Sequence, residues 1–145
     1  MANINQYITE GIDVDKLSVL IVDDVPLNVL LIKKMLTQYT FEVRTANNGQ
    51  VALGCIAQKK PDLILLDLLM PVLDGFGVIE KLRADEETKD IPIIVLSALN
   101  SEEDITRAFR MGANDFINKP VIMEKLIAGV TQQINLSQAK KMLNN

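Results

Sequence analysis

The stretch Asp62-Leu-Ile-Leu-Leu-Asp67-Leu-Leu-Met-Pro71 decides how this chain folds. Its four apolar residues, Leu63 to Leu66, are typical of a short strand that is buried on both faces, as at the centre of a parallel sheet. Asp67 follows this strand directly, and open α/β sheets place their ligand crevice at the carboxyl ends of the strands. Pro71 and the Asp74-Gly75 pair predict a loop beyond it. We therefore expect Asp67 to open a pocket.

The composition excludes several classes of function. The chain has 145 residues, the size of one domain. Fifteen basic against 19 acidic residues leave no broad basic face for phosphates, so direct nucleic-acid binding is not expected. No leader sequence is visible and no apolar run approaches the roughly 20 residues that cross a bilayer, so no membrane contact is expected. The single cysteine rules out an intramolecular disulfide and favours a cytoplasmic setting. The absence of histidine argues against the usual zinc sites and against histidine-based catalytic triads.

Strand and helix patterns alternate along the chain. The predicted strands are residues 17–22, 41–46, 63–66, 91–96 and 115–118, and the helices between and after them cover about 26–38, 49–59, 78–82, 101–112 and 121–143. This order predicts an α/β fold with a doubly wound, five-stranded parallel sheet of strand order 2-1-3-4-5. Residues 1–16 show no clear period, and we assign them to an N-terminal extension of a domain at residues 17–143.

The first helix carries many apolar residues. Its predicted buried face consists of Leu31, Ile32, Met35 and Leu36. We expect packing to account for Leu27 and Leu30 as well. The apolar stripe of the terminal helix is also explained by packing, although part of it is a candidate face for a homodimer, because the helix is longer than the sheet beneath it requires.

Four strand ends carry groups that suit phosphoryl chemistry. In this topology Asp23 and Asp24, Asp67, Ser97 and Lys119 converge on one pocket. Three close carboxylates repel one another, so either one is protonated or a divalent cation neutralises them. A few hard oxygen ligands suit Mg²⁺ with retained waters. Asp67 is then the candidate nucleophile, Lys119 and Mg²⁺ neutralise a phosphoryl group, and the Ser97 hydroxyl donates a hydrogen bond to it.

These five residues, each at a strand end and in this order, resemble those of the receiver domain of bacterial two-component response regulators. The resemblance extends from about Leu17 through the terminal helix and implies the flavodoxin-like receiver fold, whose members are among the known examples of this sheet order. It implies that Asp24 and Asp67 bind Mg²⁺ directly with the backbone carbonyl of Leu69, while Asp23 acts through a bound water. It also implies that Asp67 accepts a phosphoryl group from a phosphohistidine of a sensor histidine kinase or a histidine phosphotransfer protein.

The resemblance extends to a switch. Ser97 and Phe116 resemble the family's switch pair, in which the hydroxyl turns towards the phosphoryl group and the aromatic ring moves inward. The Lys119-Pro120 bond resembles the family's cis peptide, which aims the lysine. The family often has threonine at the position of Ser97 and tyrosine at that of Phe116. A further hypothesis is that the apolar Leu69 and Leu99 hinder the attacking water and prolong the phosphoryl state.

Other functions compete with this interpretation. The expected receiver is not a conventional enzyme, since it catalyses only its own phosphorylation and a slow autodephosphorylation. A receiver-like module that binds a partner without phosphorylation is the main alternative. A carboxylate phosphatase would need an acid at position 69, where the chain has leucine, and a flavin carrier would need a neutral phosphate loop after the first strand. The effector is unknown: the chain is either a single-domain regulator or part of a longer protein.

Overall fold

The computed structural model describes residues 17–143, and its sheet has the predicted order. Five parallel strands, β1 (Ser18–Val22), β2 (Glu42–Ala46), β3 (Leu63–Leu66), β4 (Ile93–Ser97) and β5 (Asp115–Asn118), lie in the order β2-β1-β3-β4-β5. They alternate with the helices α1 (Pro26–Leu36), α2 (Gly49–Gln58), α3 (Gly75–Ala84), α4 (Glu102–Met111) and α5 (Met123–Leu143). The α/β fold class and the strand order are thus confirmed, whereas the proposed extension at 1–16 lies outside the described residues.

The central strand β3 is buried on both faces, as its sequence predicts. Leu63 and Leu65 belong to the core that α1 and α5 cover, whereas Ile64 and Leu66 belong to the core beneath α2, α3 and α4. Successive strand residues point to opposite faces, so only an uninterrupted apolar run can fill both cores. Each such side chain stabilises the fold by about 1.5–3 kcal/mol relative to exposure. The buried strand β3 therefore holds Asp67, the next residue, in a fixed position.

The first helix departs from its prediction. Ile32 and Leu36 are buried and Met35 packs against the core, but Leu31 is 48% exposed. Leu27 and Leu30 are also exposed, so packing does not account for them. Successive residues are about 100° apart around a helix axis. When Ile32 and Leu36 face the sheet, these three leucines therefore point towards solvent.

The other element boundaries differ by small shifts. β4 begins at Ile93 rather than at residue 91 and continues through Ser97, which pairs with Asn118. Pro92 has no N–H to donate to a ladder, which accounts for the later start. The capping of α4 matches its sequence pattern, since the Ser101 hydroxyl accepts a hydrogen bond from the backbone N–H of Asp104 at 3.1 Å. Among residues 17–143, no helix combines the length and apolar character of a membrane span.

Candidate functional site

Three carboxylates meet at the carboxyl end of the sheet. Asp23, Asp24 and Asp67 each place one oxygen within 4.8 Å of the others. The sheet register brings them together, because Val22 at the end of β1 pairs with Leu66 at the end of β3. Asp23 and Asp67 are buried, with 2% and 6% of their surface exposed. The predicted convergence of these three residues is what the structure shows.

Lys119 lies between two of these carboxylates. Its Nζ is 2.7 Å from Asp23 Oδ2 and 3.4 Å from Asp67 Oδ2, and only 17% of the lysine side chain is exposed. The backbone N–H of Lys119 donates to the carbonyl of Ser97 at 3.0 Å, which ties the lysine to the end of β4. The Lys119–Pro120 peptide bond is cis. A chain segment 96 residues away thus supplies the positive charge nearest to Asp23.

The electrostatics at Asp67 are unbalanced. Burial raises the pKa of the Asp67 carboxyl above its ordinary value of 3.8, Lys119 opposes this effect, and the neighbouring charge of Asp23 adds to it. The backbone N–H of Leu69, which donates to Asp67 Oδ1 at 3.3 Å, also lowers this pKa. One lysine therefore does not fully compensate the acidic cluster.

The donor set fits a Mg²⁺ ion. All three side chains offer hard carboxylate oxygens. A divalent cation would stabilise the ionised form of Asp67 and so oppose the rise in its pKa that burial and Asp23 cause. The backbone N–H of Val25 holds Asp23 by donating to its Oδ1 at 2.9 Å, while Leu69 N–H holds Asp67. These backbone donors orient the two carboxylates before any cation binds.

The loop after Asp67 is packed tightly against α3. A Cβ built on Gly75 would lie 2.4 Å from the carbonyl oxygen of Asp67 and 2.6 Å from Cα of Leu68. The N–H of Gly75 donates to the Leu68 carbonyl at 3.0 Å, and Asp74 caps α3 by accepting from the N–H of Gly77. Only glycine permits this approach of two backbones. The start of α3 thereby fixes the main chain that carries Asp67.

One residue in this loop has an unfavourable backbone. Val72 has φ 72°, in the left-handed region that β-branched residues rarely adopt, and 82% of its surface is exposed. The N–H of Leu73 donates to the carbonyl of Pro71 at 2.9 Å, which closes a three-residue turn around Val72.

The remaining predicted residues surround the cluster at different depths. Ser97 is fully buried at the end of β4, and its hydroxyl accepts a hydrogen bond from the N–H of Leu99 at 3.1 Å. Phe116 is half-buried against the core beneath α2, α3 and α4. Leu69 is 54% exposed, and Leu99 packs partly against the same core as Phe116. Ser97 and Phe116 thus lie on the adjacent strands β4 and β5, two residues out of register, since Ser97 pairs with Asn118 and Phe116 with Val95.

Two features of the site are absent from the sequence-based prediction. The Val25 N–H that holds Asp23 leaves no signal in the sequence, since any residue but proline supplies a backbone donor. The Asp74-Gly75 pair does leave a signal, but it indicates only a turn, and the close approach of Gly75 to Asp67 depends on how α3 meets β3.

Comparison with known proteins places these observations in a family. The family model described as "Response regulator receiver domain" matches residues 19–131. Among curated proteins, the chain is 42% identical over 112 residues to "Response regulator PleD" of Caulobacter vibrioides, covering 77% of this chain and 25% of PleD. It is 38% identical over 109 residues to "Protein PilH" of Pseudomonas aeruginosa, covering 75% of this chain and 90% of PilH.

A solved structure agrees with these similarities. The receiver domain of the sensor histidine kinase PA1611 from Pseudomonas aeruginosa, which has a magnesium ion coordinated in its active-site cleft, superposes with a TM-score of 0.76 at 30% identity. The match covers 82% of this chain and 98% of that domain. By contrast, this chain spans only a quarter to about half of the length of several larger regulators that it matches.

Proposed function

The chain belongs to the family of response regulator receiver domains, and from this premise we propose that Asp67 is its phosphoacceptor. The donor would be a phosphohistidine of a sensor histidine kinase or of a histidine phosphotransfer protein. The observation that carries the proposal is the cluster of Asp23, Asp24 and Asp67 within 4.8 Å, with Lys119 between two of its members. In this role the domain acts in two-component signalling as a switch that regulates an output partner.

The transfer is a displacement at phosphorus. A carboxylate oxygen of Asp67 attacks the phosphorus atom, the new O–P bond forms, and the bond from phosphorus to the donor's imidazole nitrogen breaks. The nitrogen keeps the electron pair of that bond. Asp67 must be ionised to attack, so Lys119, which opposes the rise in the pKa of Asp67, keeps the nucleophile competent.

The metal has a defined set of holders in this proposal. Asp24 and Asp67 would bind Mg²⁺ directly with the carbonyl of Leu69, and Asp23 would act through a water. When bound, Mg²⁺ supplies positive charge that neutralises phosphoryl oxygens. Lys119 adds charge to the same group, and the buried Ser97 hydroxyl donates a hydrogen bond to it after releasing the N–H of Leu99.

The switch would work through Ser97 and Phe116. As the Ser97 hydroxyl turns towards the phosphoryl group, the half-buried ring of Phe116 moves further inward on the neighbouring strand. The effector that senses this change is an unknown domain or protein. Residues 17–143 would form the receiver domain and residues 1–16 an extension, and a cytoplasmic setting fits a protein that meets a kinase's phosphohistidine.

An intact-mass experiment tests the phosphoacceptor directly. The purified protein is incubated with Mg²⁺ and acetyl phosphate, beside Asp67→Asn and the matched control Asp90→Asn. Asp90 is an exposed aspartate that pairs with Lys140, on helix α5, at 3.2 Å. We expect one added phosphoryl group in the natural protein and the control, and none in Asp67→Asn or after chelation of Mg²⁺.

The same experiment addresses the main alternative. If folded, Mg²⁺-loaded protein takes up no phosphoryl group from acetyl phosphate or from a kinase, the domain is better explained as a binding module that works without phosphorylation. The decay of the added mass tests the proposed effect of Leu69 and Leu99. We expect slow loss in the natural protein and faster loss in Leu69→Asn, because a polar residue there admits the attacking water; rapid loss from the natural protein would contradict the idea.

A further inference from the structure

Helix α4 is the least anchored helix of the domain. Among its ten residues only Ala108 is buried, whereas α3, of equal length, buries five residues and α5 buries seven. A segment with few buried apolar contacts opens locally at low free energy. The position of α4 therefore depends on a small number of side-chain contacts.

One of these contacts is a cation stacked on a ring. The guanidinium carbon of Arg107 on α4 lies 4.0 Å from the centroid of the Phe76 ring on α3. Within residues 17–143, this stack on the Phe76 ring is the contact that the structure gives for the Arg107 guanidinium. Phe76 is only 6% exposed and belongs to the core beneath α2, α3 and α4. The ring is thus a fixed surface, and the arginine fastens α4 to it.

The ring is also joined to the phosphoacceptor loop. Phe76 directly follows Gly75. A Cβ on Gly75 would clash with the carbonyl oxygen of Asp67 and with Cα of Leu68. The Gly75 N–H donates to the Leu68 carbonyl at 3.0 Å. Because these backbones already touch, the main chain at Asp67 cannot move towards α3 without displacing Gly75 and with it Phe76.

We propose that the stacking of Arg107 on Phe76 is a latch through which the Asp67 loop and helix α4 set each other's position. The inference rests on the proposed function of Asp67 and adds the route by which its state reaches α4. Coupling between two sites is reciprocal, so a stack whose strength depends on the ligand at Asp67 changes the affinity for that ligand in turn, by at most the free energy of the stack. A cation on an aromatic face at a partly exposed site corresponds to a factor of about 2 to 5 in an equilibrium constant.

Three variants isolate the latch. Arg107→Met keeps the aliphatic stem but removes the charge, and Arg107→Lys keeps a charge that can sit over the ring. Arg110→Met makes the same change of charge on the same helix, at an arginine for which the structure shows no stack on Phe76. Two quantities are measured for the natural protein and for each variant: the hydrogen-exchange rates of the α4 amides, and the affinity for Mg²⁺ with beryllofluoride, a mimic of the phosphoryl group.

The expected results differ clearly between the variants. In Arg107→Met the α4 amides exchange about 2- to 5-fold faster and the beryllofluoride affinity changes by up to the same factor. Arg107→Lys restores most of both values, and Arg110→Met resembles the natural protein. Equal behaviour of Arg107→Met and Arg110→Met in either measurement overturns the latch. If the natural protein binds neither Mg²⁺ nor beryllofluoride, the proposed function fails, and unchanged α4 exchange in Arg107→Met then overturns the latch separately.

Discussion

Adding one methyl group at Gly75 should disturb both the fold and the position of Asp67, the proposed phosphoacceptor. The new Cβ of Gly75→Ala would lie 2.4 Å from the Asp67 carbonyl oxygen, whereas ordinary contact begins at 3.4 Å, so about 1.0 Å of displacement is needed. Both crowded neighbours are main-chain atoms of Asp67 and Leu68, which cannot rotate away as a side chain can. Overpacking of this kind destabilises proteins by about 1–3 kcal/mol. We expect a loss of about 1–2 kcal/mol in the free energy of unfolding after the helix preference of alanine is subtracted.

The chain contains a matched control for this change. Gly54 lies within α2, and a Cβ built on it meets nothing within 4 Å. Gly54→Ala should therefore raise the free energy of unfolding by about 0.4–1 kcal/mol. Urea unfolding at equilibrium measures both variants, and a difference of 1 kcal/mol corresponds to a shift of about 3–5 °C in the melting temperature for a domain of this size.

The functional readout is the rate of phosphorylation by acetyl phosphate. A shift of the Asp67 main chain by even part of 1 Å misplaces its carboxylate, so we expect this rate to fall about 10-fold or more in Gly75→Ala and to stay unchanged in Gly54→Ala. If Gly75→Ala is as stable as the natural protein, the loop yields easily and the argument from close packing is wrong. If it is destabilised but phosphorylated at the natural rate, Gly75 does not position Asp67.

Three further predictions concern charge and backbone strain. The raised pKa of Asp67 means that the folded state binds a proton more tightly than the unfolded state does, so without metal the natural protein should lose stability relative to Asp67→Asn as the pH rises through this pKa. The difference in the free energy of unfolding between the two proteins should be absent below the unfolded pKa of 3.8 and should persist at higher pH. Urea titrations measure this difference, which should close when Mg²⁺ is added. Lys119→Met should lower the free energy of unfolding without metal by about 3 kcal/mol, because the substitution leaves buried carboxylates unpaired. In the same titrations, saturating Mg²⁺ should stabilise this variant more than it stabilises the natural protein. Val72→Asn should raise the free energy of unfolding by up to about 1 kcal/mol, because asparagine adopts a positive φ more readily than a β-branched residue does; an unchanged free energy of unfolding would refute the argument from backbone strain at Val72.

The sequence predicted the fold well where a pattern has one structural solution. The short apolar run Leu63 to Leu66, followed directly by Asp67 and a loop, indicates a strand with cores on both sides, and both cores are present. The strand-end positions of Asp23, Asp67 and Lys119 followed from the topology without knowledge of any side-chain contact. Their meeting in the structure is a consequence of parallel strands that all end at one edge.

The sequence was less informative where geometry depends on how two elements pack. The exposure of Leu31 on α1 could not be derived from composition, because neighbouring apolar residues do not reveal which of them faces the sheet. Likewise, the positive φ of Val72 could not be predicted, because β-branched residues such as valine rarely adopt it. The contact of Arg107 with Phe76 joins helices whose facing sides become known only from the assembled fold.

The unfavourable features of this domain are concentrated around one loop. Asp67 is buried beside another carboxylate, Val72 has a left-handed backbone, and Gly75 leaves no free space behind the main chain. In a fold whose core is otherwise consistent, such local conflicts mark the place where function has overridden stability. A ligand that brings positive charge to the carboxylates removes the first conflict, and the tight contact at Gly75 prevents the loop from absorbing the change locally. Under the proposed function, the rearrangement would then pass to α3 and, through the stack of Arg107 on Phe76, to the loosely anchored α4.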